Sequence, residues 1–172
     1  QEAKFQSGEW QFQPDRQVTR LEAVKAALIA NCIPIDTTVS KPDGNFEFVD
    51  LPVTGEKNEA DLFAAKVFYT ALKRGVITGD NGRARPYDFV TTDETLAILL
   101  RSSQAIPTKY LTQGGSWFAK YEQFAKDNGL LKNTNLENFS NQLTRKDFAK
   151  LIVRVMAYNP DPDIYGYIER VN

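Results

Sequence analysis

The side chains able to do chemistry are defined as much by omission as by presence. The 172 residues contain no histidine and a single cysteine, Cys32. That removes Ser-His-Asp and Cys-His nucleophilic machinery, zinc sites built on imidazole, and the usual general base near neutral pH. Cys32 cannot form an intrachain disulfide. It sits in the apolar run Ala27-Leu28-Ile29-Ala30-Asn31-Cys32-Ile33, where it reads as a buried small hydrophobe. The 22 acidic residues include no pair that stands apart from turns and helix starts, so a two-carboxylate glycosidase has little to recommend it. No metal site and no cofactor is expected. Asp50 and Asp80 read as turn or cap acids.

What remains is a set of basic and aromatic side chains at recurring positions. Val18-Thr19-Arg20-Leu21-Glu22 near the start is echoed by Leu143-Thr144-Arg145-Lys146-Asp147 far downstream, and more loosely by Val90-Thr91-Thr92-Asp93-Glu94. A guanidinium presents a rigid fork of donors that fits a carboxylate two bonds at a time. Placed in the first turn of a helix, it stands beside free N–H groups that already favour an anion. Taken by themselves Arg20 and Arg145, both expected at exposed first turns, read equally as solvated or ion-paired side chains whose chemistry also suits an anion, and the matching position in the middle box is Thr92.

The elements that must hold these residues follow from the same boxes. Threonine is a good N-cap, and a carboxylate three residues on can reach back to it. Glu22 and Glu94 complete that pattern, and Asp147 is a shorter version of it. Amphipathic runs follow each box: Leu21, Val24 and Leu28; Leu96, Leu99 and Leu100; and Phe148, Leu151, Ile152, Val155 and Met156. A second recurring phrase is a helix closed by glycine. Ala60, Phe63, Ala64, Val67, Phe68, Ala71 and Leu72, with Asn58 as cap, end at Gly75; Trp117, Phe118, Tyr121, Phe124 and Ala125, with Ser116 in front, end at Gly129. Gly79-Asp80-Asn81-Gly82 then reads as a tight turn leading into an extended residue before Pro86. Gly8 to Pro14, through Trp10 and Phe12, resembles that turn-and-strand piece, and Thr134 to Phe139 is a shortened form lacking the Asp-Gly turn.

These phrases define a repeating unit: helix, glycine stop, turn, short extended piece, capped helix. The expected organisation is one compact, mainly α domain. It comprises a partial first unit with its connector over 1–45, a second over 46–106, a third over 107–158, and a tail over 159–172 containing Asn-Pro-Asp-Pro-Asp.

The order Phe48-Val49-Asp50, Gly75-Val76-Ile77-Thr78-Gly79, Phe12-Gln13-Pro14 and the Thr-Arg-x-acid boxes resembles the S-layer homology family over about 85% of the chain. The resemblance implies a pseudo-threefold helical bundle with short extended and turn pieces. It also implies non-catalytic, non-covalent attachment to an anionic bacterial cell-wall polysaccharide, often one bearing pyruvate ketals, by a protein at the bacterial cell surface. The glycan contacts it implies are Arg20 and Arg145, with Glu22, Asp147, Trp10, Trp117 and Tyr121 around them. The alternative is a protein-interaction or surface-lattice unit that has lost glycan binding and self-associates. With a net charge of −1 the chain gives no reason to expect nucleic acid, and no apolar stretch approaches the roughly 18 residues of a membrane span.

Overall fold

The structure, a computed structural model, describes residues 12–38, 47–53, 58–112, 114–134, 136 and 138–158. Trp10, most of the 34–45 connector and the tail beyond Tyr158 lie outside those residues. The described chain is mainly helical: α1 (Arg20–Ala30), α2 (Glu59–Lys73), α3 (Thr92–Ser103), α4 (Thr108–Leu111), α5 (Ala119–Asp127) and α6 (Arg145–Ala157).

The three threonine boxes all open helices. Thr19 accepts from Glu22 N–H at 3.3 Å while the Glu22 carboxylate accepts from Thr19 N–H at 3.0 Å. Glu94 accepts from Thr91 N–H at 3.2 Å. The shorter Asp147 instead takes the Thr144 hydroxyl proton at 2.9 Å. Asn58 caps α2 by accepting from Asp61 N–H at 2.8 Å.

A closed ring of backbone hydrogen bonds joins the three helix starts. Val18 N–H donates to Leu143 O (3.0 Å), Leu143 N–H to Val90 O (3.2 Å), and Val90 N–H back to Val18 O (3.0 Å). Two residues further along each chain segment the pattern repeats. Arg20, Thr92 and Arg145 N–H donate to Asp88, Asn141 and Arg16 O at 2.8, 3.0 and 2.8 Å. The next amides, of Leu21, Asp93 and Lys146, donate to Pro86, Phe139 and Pro14 O at 2.8, 3.1 and 3.0 Å. Each set of bonds runs once round the three segments and closes on itself. The side chains of Val18, Val90 and Leu143 are all buried at its centre, and α1, α3 and α6 each touch the other two. Amides at a helix start, which a lone helix leaves unpaired, here become the joints of the assembly.

α2 packs on α1 and α5 packs on α3. The α2 layer is Ala64, Ala65, Val67, Phe68 and Ala71; from α5 come Tyr121, Phe124 and Ala125. Both helices close with a left-handed glycine. Gly75 N–H bonds Leu72 O and Val76 N–H bonds Ala71 O (3.0 and 2.9 Å); Gly129 and Leu130 bond Lys126 and Ala125 O (3.2 and 2.9 Å). The turn after Gly79 is a two-residue hairpin, with Asp80 and Arg83 exchanging N–H···O bonds of 3.0 and 2.8 Å across left-handed Asn81 and Gly82. Asp50 braces it by accepting from the N–H groups of Ala84 and Arg85, both at 2.8 Å.

Several expectations need correction. α1 ends at Ala30, and Cys32 is exposed at φ +54°, in the stop position that glycine holds elsewhere, with Cys32 N–H on Ile29 O and Ile33 N–H on Leu28 O (3.1 and 2.9 Å). α5 starts at Ala119 with Phe118 as its cap, so Trp117 precedes the helix and Ser116 does not cap it. Phe63 and Met156 of the apolar runs are exposed. The residues before Pro86 and Pro14 are not extended: Arg85 and Gln13 have φ of +50° and +49°. The carboxylate grip on Arg85 N–H helps to hold that conformation. Asn133 takes φ +58° where the second unit has Gly79.

Candidate functional site

The seam between the first and second threonine boxes opens into a groove of about 440 Å³. Its floor is Arg20 of α1 with Ala97, Ile98 and Arg101 of α3; one wall is Ile77 to Asn81 with Arg85, and the rim carries Trp117. An adjoining depression of about 620 Å³ shares Arg85, Glu94 and Trp117 and adds Tyr87, Asp88, Phe89, Phe118 and Gln142. Trp117 thus stands between two lobes of one cleft. It is 52% exposed, and Tyr87 and Phe89 are also exposed apolar faces.

The charges in this cleft are unequally occupied. Arg20 is only 7% exposed, so it is not the free first-turn side chain the sequence suggests. Its Nη1 lies 3.3 Å from Glu94 Oε1 and its Nε donates to Ala84 O at 3.0 Å. Burial pulls the guanidinium below its usual range, and the Glu94 charge opposes that shift. Arg85 is surrounded by Asp80 at 3.3 Å, Asp88 at 3.8 Å and Glu94. Its Nε, though near Asp80, is out of line for a hydrogen bond. Arg101 differs. Its Nε donates to the Tyr121 hydroxyl at 2.7 Å, and its guanidinium lies 5.2 Å from the Tyr121 ring centroid and 5.9 Å from that of Trp117. Among the described residues it has no carboxylate partner.

A second groove, between α6 and α1, is about 300 Å³ and more apolar. It is lined by Phe12, Val18, Glu22, Ala26, Arg145, Phe148, Ala149 and Ile152. Arg145 has no ion pair among the described residues and lies over the Phe12 ring at 5.4 Å from its centroid. Glu22 is taken up by Thr19 N–H and by Arg16. At the third seam Thr92 is buried and donates its hydroxyl to Asn141 O at 3.2 Å, so no guanidinium stands there.

The structure therefore brings Arg20, Trp117 and, through Arg101, Tyr121 to one cleft, and sets Arg145 and Glu22 at another. Asp147 belongs to neither. It is buried against the Thr144 hydroxyl with Lys150 Nζ at 3.7 Å, which is structural use. Tyr121 is buried and reaches the cleft only by holding Arg101. Arg85 and Arg101 escaped the sequence reading. Arg101 sits in the last turn of α3, where a cation already suits the helix dipole, so nothing in its local context marks it.

Chemically, the cleft offers planar donors, aromatic faces and fixed carboxylates. Glu94 spends its oxygens on two guanidiniums and a backbone amide. No cluster of three metal-ligating side chains occurs among the described residues. No described helix is long and apolar enough to cross a membrane. Comparison with known proteins brings no match, either to a family model or to a curated sequence.

Proposed function

We propose that this chain is a non-catalytic envelope anchor of the S-layer homology type, whose three threonine-led units frame grooves for an anionic cell-wall polysaccharide at the bacterial surface. The observation that carries the reading is Arg101. It is a guanidinium lining a cleft, held by Tyr121, near exposed Trp117, and without a carboxylate partner among the described residues. A sugar carboxylate would complete its fork, while C–H faces of the ring rest on Trp117. Arg20 and Arg85 are fully answered by Glu94, Asp80 and Asp88, which leaves Arg101 as the cleft guanidinium open to an anion. Arg145 and Phe12 offer a second, more apolar cleft.

Incubation with bacterial wall sacculi, before and after the secondary polymer is stripped, tests this. The chain should sediment only with polymer-bearing walls, and raised salt should weaken the attachment, because exposed ionic contacts are screened. Arg101→Gln and Trp117→Ala should each weaken it about tenfold, roughly the worth of one charge-assisted hydrogen bond or one good stack. Thermal unfolding checks that both variants remain folded. Equal sedimentation with stripped walls, or parent-like binding by both variants, would refute the proposal. Self-assembly without any wall binding would favour a lattice role.

A further inference from the structure

The two boxes that keep an arginine put it to different use. Arg20 is buried, with Glu94 and Ala84 O on its guanidinium. Arg145 is half-buried, lies over the Phe12 ring and has no ion pair among the described residues. The groove it lines, about 300 Å³ between α1 and α6, is walled by Val18, Ala26, Phe148, Ala149 and Ile152 together with the exposed ring of Phe12.

Polar groups are scarce in that groove. Besides Arg145 its lining holds only Glu22, whose carboxylate is already engaged by Arg16 and by Thr19 N–H. The start of α6 has no spare backbone donor to add. The amides of Arg145 and Lys146 are bonded to Arg16 and Pro14 O, and that of Asp147 to the Thr144 hydroxyl at 3.4 Å. An anion here meets a single guanidinium.

These features define an occupant. A guanidinium fork matches one carboxylate two bonds at a time, and no second cation or free amide stands by to answer a dianion. The body behind that carboxylate has to be apolar. A sugar ring would press several hydroxyls against methyl and phenyl groups, each losing water without gaining a partner. A sealed cavity of about 150 Å³ takes up benzene, so a groove of roughly twice that size has room for an alkyl chain of medium length or an aryl group with a short arm.

We propose that the Arg145 groove binds a small amphipathic monocarboxylate, its carboxylate on Arg145 and its alkyl or aryl body against Phe148, Ile152 and Ala26. The cleft around Arg101 is unlike it, being lined by Asp80, Arg85 and Glu94 as well. The inference goes beyond glycan attachment and does not depend on it.

Isothermal titration of the full chain with straight-chain carboxylates tests this. Affinity should rise about fourfold per methylene from butanoate to octanoate. Octanoate should bind about tenfold or more tighter than octanol, the worth of a charge-assisted pair. Arg145→Gln should erase that preference while octanol binds as before. Ile152→Asn should weaken both ligands, and Phe12→Ser, which alters an exposed ring, serves the same purpose if Ile152→Asn does not fold. Glucuronate, a carboxylate on a sugar ring, should show no binding that depends on Arg145. The proposal is overturned by the absence of saturable octanoate binding, by an octanoate preference that survives Arg145→Gln, or by glucuronate binding that Arg145→Gln abolishes. Wall polymer takes no part in these titrations, so envelope anchoring can fail while this inference stands.

Discussion

Replacing Arg20 by alanine separates two roles that look alike in the sequence. Arg20 and Arg145 occupy equivalent positions, yet only Arg20 is buried, bonding Ala84 O through Nε at 3.0 Å and facing Glu94 at 3.3 Å. Breaking a buried pair costs about 3–5 kcal/mol when the remaining charge is stranded. Glu94 is not stranded, because Arg85 and Thr91 N–H remain on it. The loss is then mainly the charged hydrogen bond to Ala84 and the packed stem, about 2–3 kcal/mol. For a domain of this size that lowers the thermal midpoint by about 5–10 °C. Arg145→Ala gives up a cation–π contact with exposed Phe12, about 0.5–1 kcal/mol, or about 1–4 °C. Arg20→Lys should not restore the parent, since an ammonium cannot serve Ala84 O and Glu94 with one planar fork. Far-UV circular dichroism on heating, with urea titration as a check, measures all three. If Arg20→Ala unfolds within about 1 °C of the parent, or no earlier than Arg145→Ala, the buried role assigned to Arg20 is wrong.

Four further perturbations have defined outcomes. Gly75→Ala and Gly129→Ala, at φ of +69° and +63° with open space around the added methyl, should each cost about 1–2 kcal/mol through backbone strain alone. Cys32→Gly, at the matching stop of α1, should gain a few tenths to about 1 kcal/mol in urea titration. Asp50→Ala should lose about 2–3 kcal/mol and speed hydrogen exchange at the Ala84 and Arg85 amides, which its carboxylate holds. The Tyr87 hydroxyl, on a ring that is 52% exposed, is pushed up to about 12, first by partial loss of water around it and then by the Asp61 carboxylate that accepts its hydrogen bond at 2.7 Å. Between pH of about 10 and 12 the unfolded chain has released that proton while the folded chain keeps it, so stability falls with rising pH. Unfolding midpoints across that window should drop more steeply for the parent than for Tyr87→Phe, and near-ultraviolet tyrosinate absorbance should show one late-titrating group fewer in Tyr87→Phe, Tyr69 and Tyr158 also being raised by burial in both.

What could be read from the sequence was local. A threonine cap, a returning carboxylate and a glycine stop each act within four residues, and α1, α2, α3 and α6 begin where those signals stand. The burial of Arg20 was not readable, because it depends on Ala84 and Glu94, which are far away in the chain. Cys32 misled for a related reason. Its apolar neighbours suggested a continuing helix, but the stop comes from Leu28 and Ile29 carbonyls capturing the next amides, and a non-glycine residue bears the strain. Trp117 looked like part of a helical stripe because aromatics at i, i+4 and i+7 fit one. Phe118 caps the helix instead, and Trp117 is left on the cleft rim. Arg101 became visible only when α5 brought Tyr121 against α3.

The ring explains how one box can lose its arginine without harm to the frame. The residue after each threonine contributes its backbone N–H to the joint: Arg20, Thr92 and Arg145 bond Asp88, Asn141 and Arg16 carbonyls in turn. Any residue but proline can supply that bond. The side chain at the same position is therefore free to vary, provided its own burial is satisfied. Thr92 meets that condition with a single hydroxyl bond to Asn141 O, whereas Arg20 needs a carboxylate and a carbonyl. Arg145, lying over the Phe12 ring, has neither among the described residues. Symmetric architecture thus places no demand for symmetric chemistry, and the three seams can differ in what they hold while sharing one backbone.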